Sequence, residues 1–222
     1  MIRRALRRHP WNRLNVILRE IVRTVRPALV LTVKGTFLNG ETVRDVRKES
    51  GVRFVNYYAD NPYCGVPLNP QKPSAQRSDL VDVLREYDRV WIWERGMAKR
   101  LQDDGIVAAY LPFGVDPEST RGQEGACEEC GVRHDVVFIG QHSDKRETHL
   151  AAIQNHSVAL WGSRWARAAR RFKGRHVVYS RPAFPSTSSA PYRSALVSLN
   201  IVDDLKLPGH NMRTWEIPAS GA

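Results

Sequence analysis

The sequence predicts an α/β protein of two Rossmann-like domains, the second truncated at its C-terminus. Three observations carry this reading. Short, β-rich apolar runs alternate with longer helical segments, the pattern of βαβ units and parallel sheets. The alternation breaks once, over residues 114–134 (GVDPESTRGQEGACEECGVRH), a polar, Gly-rich stretch without period, and then resumes. The second block stops at Ala222, inside an expected helix–strand unit. The expected division is a first domain at 1–117, a linker at 118–134 and a second domain at 135–222.

Each element has its own warrant. Leu14, Ile17, Leu18, Ile21, Val22 and Val25 recur at helical spacing and form the apolar face of a docked helix. After Pro27, ALVLTV (28–33) is a continuous apolar run, as expected of a strand buried on both faces. Residues 41–49 read as a helix and 52–57 as a strand. A loop with several prolines spans 59–77, and Ser78 is placed to cap the next helix. Residues 89–93 form a strand, 95–104 a helix closed by Gly105, and 107–111 a strand. In the second block the strands are 135–140, 157–162, 176–179 and 195–202. Helices are expected over 145–155, along the basic RWARAARRF, near 190–195 and from about Asn211.

Composition excludes several classes. Of 222 residues, 42% are hydrophobic and 26% charged, which excludes a disordered chain. No apolar run approaches the roughly eighteen residues of a membrane-spanning helix, and no secretory signal is expected. Three cysteines exclude a dense disulfide framework. A cytoplasmic setting is the expectation. The net charge of +11 favours an anionic partner: nucleic acid, an acidic membrane surface or a phosphorylated small molecule. Eight arginines against one acid, Glu20, fall in the first 26 residues, and the rest of the chain carries +4. Nucleic acid is not the favoured partner. The aromatics lie inside apolar segments, and no nucleic-acid module is present. A basic nucleic-acid-binding protein and a non-catalytic Rossmann-like binding domain are the alternatives.

Open α/β sheets bind ligands beyond the carboxyl ends of their strands, so the residues after each strand matter most. Gly140-Gln141-His142-Ser143 follows the first strand of the second block, with Lys145 and Arg146 just beyond. Gly140 permits a tight turn, and Arg146 can fork a phosphate. The plain alternative is an ordinary turn with a solvated arginine. Gly162, in Trp161-Gly162-Ser163-Arg164-Trp165, also permits close approach of a nucleotide, with Trp165 packed inside. Cys127, Cys130 and His134 give three metal ligands where structural zinc takes four, and no Asp-x-Asp ends a strand. No metal or cofactor is expected, and Asp203-Asp204 read as loop acids.

The last segment couples Leu199-Asn200 to Asn211-Met212-Arg213-Thr214-Trp215-Glu216 and Ala219-Ser220-Gly221-Ala222. Here the sequence resembles the CgeB-like, or spore-maturation-protein-like, glycosyltransferases of the two-domain B fold (GT-B). The same order of pieces runs through Lys34-Gly35, Asp60-Asn61-Pro62, Leu111-Pro112-Phe113-Gly114-Val115-Asp116-Pro117, Asp135–Gly140 and Leu160-Trp161-Gly162. The resemblance implies a nucleotide-diphosphate-sugar donor on the second domain and an unknown acceptor (glycan, protein or small molecule) on the first. It implies a hexosyltransferase-like activity, ribose hydroxyls on Glu216, and diphosphate near Arg213 and the helix start. Asn200 and Asn211 join the donor set. Asp60 is the cleft-lining acid, either a base for the acceptor hydroxyl or the organiser of its own Pro-rich turn. The family continues beyond both ends of this sequence, so the chain is expected to be a fragment and inactive alone.

Overall fold

The computed structural model describes residues 10–63, 76–121, 134–172, 176–179, 185–203 and 209–222. The chain divides into two compact units, Met1–Pro112 and Phe113–Ala222.

The first unit contains α1 (Pro10–Val25), β1 (Leu29–Val33), α2 (Gly40–Ser50), β2 (Arg53–Tyr58), α3 (Gln76–Arg85), β3 (Arg89–Ile92), α4 (Arg95–Asp103) and β4 (Ala108–Tyr110). Its four strands are parallel and lie in chain order, β1-β2-β3-β4. Right-handed crossovers that always step the same way place α2, α3 and α4 on one face of the sheet. That face carries Phe54, Val90 and Ile92, all buried. Thr42, Val43 and Val46 of α2 are buried too. Local chemistry fixes the helix ends. The Asn39 side chain accepts from Thr42 N, and Gly51 closes α2 at φ +67°. Glu94 caps α4 by accepting from Gly96 N and Met97 N. The expected cap at Ser78 is displaced, because α3 already begins at Gln76.

Two expectations about this unit are corrected. The apolar run of β1 is not buried on both faces. It is an edge strand, and Leu29, Leu31 and Val33 are 50%, 55% and 65% exposed. A strand at the end of a one-way sheet has no helix over its second face. Nor does α1 dock through the whole of its apolar stripe: Val22 is buried and Leu18 half-buried, and the rest of the stripe is not. Asn15 and Val22 are buried, whereas Leu14, Ile17, Ile21 and Val25 are exposed. The Asn15 side chain holds the loop before α2, donating to Phe37 O at 3.0 Å and accepting from Asn39 N at 3.0 Å. Arg19 pairs with Asp45 of α2 at 2.9 Å. Polar anchors thus rotate the helix away from the face that hydrophobicity alone selects.

The second unit contains α5 (Pro117–Arg121), β5 (His134–Ile139), α6 (Asp144–Ala151), β6 (Val158–Trp161), β7 (His176–Tyr179), α7 (Pro185–Arg193), β8 (Ala195–Leu199) and α8 (Arg213–Ala219). The strand order is β7-β6-β5-β8, all parallel. The chain steps from β5 to β6 to β7, then returns to the other side of β5. This reversal puts core on both faces. Val136, Phe138, Val158 and Leu160 pack with Leu150, Trp165 and Phe172 on one side. Val137, Ile139, Ala159 and Trp161 pack with Tyr192 on the other. The expected strands form here, and residues 136–139 of β5 and Val158–Trp161 of β6 are buried on both faces.

The stretch read as a linker is helical at α5. Asp116 caps this helix by accepting from Glu118 N at 3.0 Å, with Pro117 at the first helical position. Residues 122–133 lie outside the described residues, and so do Cys64, Cys127 and Cys130. His134 is buried in β5. RWARAARRF is not one helix but two 3₁₀ turns, Trp165–Arg167 and Ala169–Phe172. Arg164 enters the first at φ +68°, a left-handed conformation that cannot begin an α-helix. The last helix starts at Arg213, near Asn211 as expected. Among the described residues, no helix is long and apolar enough to cross a membrane.

Candidate functional site

The strand reversal marks the place to look. In an open α/β sheet, the crevice forms outside the carboxyl ends of the two strands where the order switches. Here those strands are β5 and β8. Beyond β5 come Gly140, Gln141 and His142, and beyond β8 come Asn200 and Ile201.

The two glycines hold the floor together. Gly140 N donates to Trp161 O at 2.8 Å. Gly162 has φ +143°, and a Cβ there would lie 2.1 Å from Gly140 O. No side chain fits between the two turns. Trp165 is fully buried, and its Nε1 donates to Gly140 O at 2.7 Å. The sequence reading of Trp165 as a packed residue matches its position.

Side chains link the β8 end to α8. Asn200 Nδ2 donates to Thr214 Oγ1 at 3.1 Å and Asn200 Oδ1 accepts from Asn211 Nδ2 at 2.9 Å. Asn211 Oδ1 accepts from Arg213 N at 3.0 Å, closing the turn into α8. Arg213 reaches the end of β5 by donating Nε–H to Ile139 O at 3.1 Å. It also pairs with Glu216, a buried carboxylate one helical turn on. An unpaired charge at that depth would be costly, so the pair is what makes a buried Glu216 tolerable.

Arg146 rises from α6 into the same region. Nη1 donates to Gln141 O at 2.8 Å, and Nη2 meets Ile201 O at 3.5 Å. Asp203 lies 3.9 Å away. Its Nε is buried without a partner among the described residues. Burial lowers the pKa of the guanidinium from its ordinary value. Asp203 opposes that shift and Arg213 adds to it, so two arginines repel one another here. Gly140, Arg146, Gly162, Asn200, Asn211, Arg213 and Glu216 therefore form one connected constellation at the strand reversal. Asp60 belongs to the first unit. It follows β2 and pairs with Lys34, which follows β1 at φ +63°. The Lys34-Gly35 and Asp60-Asn61-Pro62 pieces thus meet at the carboxyl ends of β1 and β2.

Two features were missed from sequence. One is the Lys34–Asp60 pair. The other is His142, whose Nε2 lies 2.5 Å from Glu147 Oε2, with Arg171 on the other carboxylate oxygen at 2.8 Å. His-x₄-Glu across a loop and a helix start is too common a spacing to stand out. The groove of about 870 Å³ between α1 and α2 is lined by Val16, Arg19, Arg23, Arg26 and Glu49. It opens beside Ala28 and Val52, at the amino ends of β1 and β2. That is the wrong end of the sheet for α/β ligand chemistry.

No family model matches the sequence, and no curated protein matches it. Solved structures do. An E. coli structure of trehalose-6-phosphate bound with UDP-2-fluoro glucose superposes with TM-score 0.63 and 13% identity, over 95% of this chain and 60% of that one. An alpha,alpha-trehalose-phosphate synthase (UDP-forming) from Burkholderia vietnamiensis gives 0.64 and 16%, over 95% and 61%. HepE of Anabaena in complex with UDP gives 0.52 and 12%, over 80% and 54%. At such identities the likeness shows the fold, the two-domain GT-B architecture of glycosyltransferases. The chain spans about 60% of the length of the two trehalose-linked structures.

Proposed function

We propose that this chain is the core of a CgeB-like glycosyltransferase that moves a sugar from a nucleotide-diphosphate-sugar donor to an acceptor. The observation that carries the reading is the convergence of Arg146, Arg213, Glu216, Asn200 and Asn211 on the β5–β8 reversal. Two mutually repelling guanidinium groups beside a glycine floor suit a diphosphate, whose charge relieves their repulsion. The same cations face negative charge as it develops on the leaving nucleoside diphosphate. Glu216, oriented by Arg213, is the acceptor for the two ribose hydroxyls. UDP or a UDP-sugar in two of the similar structures supports the ligand class.

Asp60 serves the acceptor side. Paired with Lys34, it is a carboxylate suited to binding or deprotonating an acceptor hydroxyl. The test is thermal unfolding with and without UDP, GDP and dTDP. A ligand of the native state raises the midpoint by mass action. One nucleotide raises it in the wild-type chain and not in Glu216→Ala. An equal rise in both proteins, or none with any nucleotide, overturns the assignment.

A further inference from the structure

We infer that His142, held by Glu147 and Arg171, is a direct ligand for the donor's phosphate groups, which rests on the nucleotide-sugar reading above. His142 lies two residues beyond Gly140, in the loop that leaves β5 at the strand reversal. Its backbone N–H donates to Ser163 O at 3.1 Å, tying this loop to the turn after β6.

The ring is fixed on two sides. Nε2 lies 2.5 Å from Glu147 Oε2. Glu147 is 8% exposed, and its other oxygen accepts from Arg171 Nη1 at 2.8 Å. The hydrogen bond from His142, assisted by Arg171, holds the Glu147 carboxyl below its ordinary range. An ionised carboxylate only accepts, so the shared proton belongs to Nε2. The ring also meets Trp165 edge-on, with centroids 5.0 Å apart and planes at 84°. The indole N–H is itself bound to Gly140 O.

This leaves Nδ1, which has no hydrogen-bond partner among the described residues. When Nδ1 also carries a proton, the ring is an imidazolium, and Glu147 and Asp144 balance its charge. It then donates a charge-assisted hydrogen bond to a phosphate oxygen. His142, Asp144 and Glu147 lie close enough together to suggest a cation site. However, both Glu147 oxygens are already engaged, one of them by a guanidinium that repels a metal. The cluster therefore leaves no Glu147 oxygen free for a metal.

Titration calorimetry tests the assignment with UDP, GDP and dTDP, each against its own nucleoside. His142→Ala and His142→Gln weaken the diphosphate about tenfold and leave the nucleoside unchanged. Glu147→Gln, which keeps the shape and removes the orienting charge, weakens the diphosphate by less. If the His142 variants bind the diphosphate as the wild type does, the inference falls and the functional reading stands. Equal loss of diphosphate and nucleoside shows a structural role and also overturns it. Absence of binding by the wild-type chain removes both.

Discussion

Gly162→Ala perturbs the site at its most constrained point. At φ +143° an alanine is strained whatever space surrounds it. Its Cβ would also lie 2.1 Å from Gly140 O and 2.7 Å from Gly140 C, where real Cβ atoms keep at least 3.0 Å. Both neighbours are backbone, so the two turns must part by about 1 Å. That movement strains Trp165 Nε1 to Gly140 O and His142 N to Ser163 O. Backbone strain and one weakened buried hydrogen bond together cost about 3 kcal/mol. At about 4–8 °C per kcal/mol for a domain of this size, the midpoint falls by roughly 12 °C or more. Calorimetry or circular dichroism reads the shift. Gly51→Ala is the control, since it has positive φ but nothing within 4 Å of its Cβ, and it costs about 1 kcal/mol. If Gly162→Ala unfolds no earlier than Gly51→Ala, the close-approach argument is wrong.

Three further outcomes follow from the geometry. Tyr192 is fully buried, its hydroxyl has no partner among the described residues, and burial pushes its pKa up to about 12. Tyr192→Phe is therefore neutral or stabilising by about 1 kcal/mol in denaturant unfolding. Glu147 titrates below its ordinary 4.5 in the folded chain, so its contribution is present above about pH 4.5 and lost as pH falls through the folded value. Glu147→Gln makes the acid side of the midpoint–pH curve shallower, and an unchanged slope contradicts the pairing with His142. In α1, Val22→Ser costs about 2 kcal/mol while Ile21→Ser stays within about 0.5. The reverse order would show that the Ile21 side of the apolar stripe is the docked one.

Much of the fold was legible because local patterns suffice for it. The runs VVFI and VALW announce strands, and the structure covers them on both sides. ALVLTV has the same composition yet lies at an edge. A run of apolar residues reports strand propensity, not how many neighbours the topology supplies. The helical period of α1 was equally readable, but its docking face depends on Asn15 and Arg19 meeting partners more than twenty residues away. RWARAARRF has helical composition, and the positive φ of Arg164 breaks it.

The site divides in the same way. Arg213 and Glu216 are three residues apart on one helix, so their pairing is visible in the spacing. The bonds from Asn200 to Asn211 and Thr214 cross a loop, and only the resemblance to a known motif brought those residues together. His142 had no such signal, and the pieces that carry Lys34 and Asp60 did not announce that the two pair. Their roles rest on loops that the sheet order places side by side.

The central claim is that the β5–β8 reversal binds a nucleoside diphosphate. The most direct measurement is an amide-resolved NMR titration of the ¹⁵N-labelled chain with UDP, GDP and dTDP. The account predicts saturable shifts from one nucleotide, concentrated at Gly140–Ser143, Asn200–Ile201 and Asn211–Glu216. Shifts confined to the groove between α1 and α2, or none from any of the three, would contradict it.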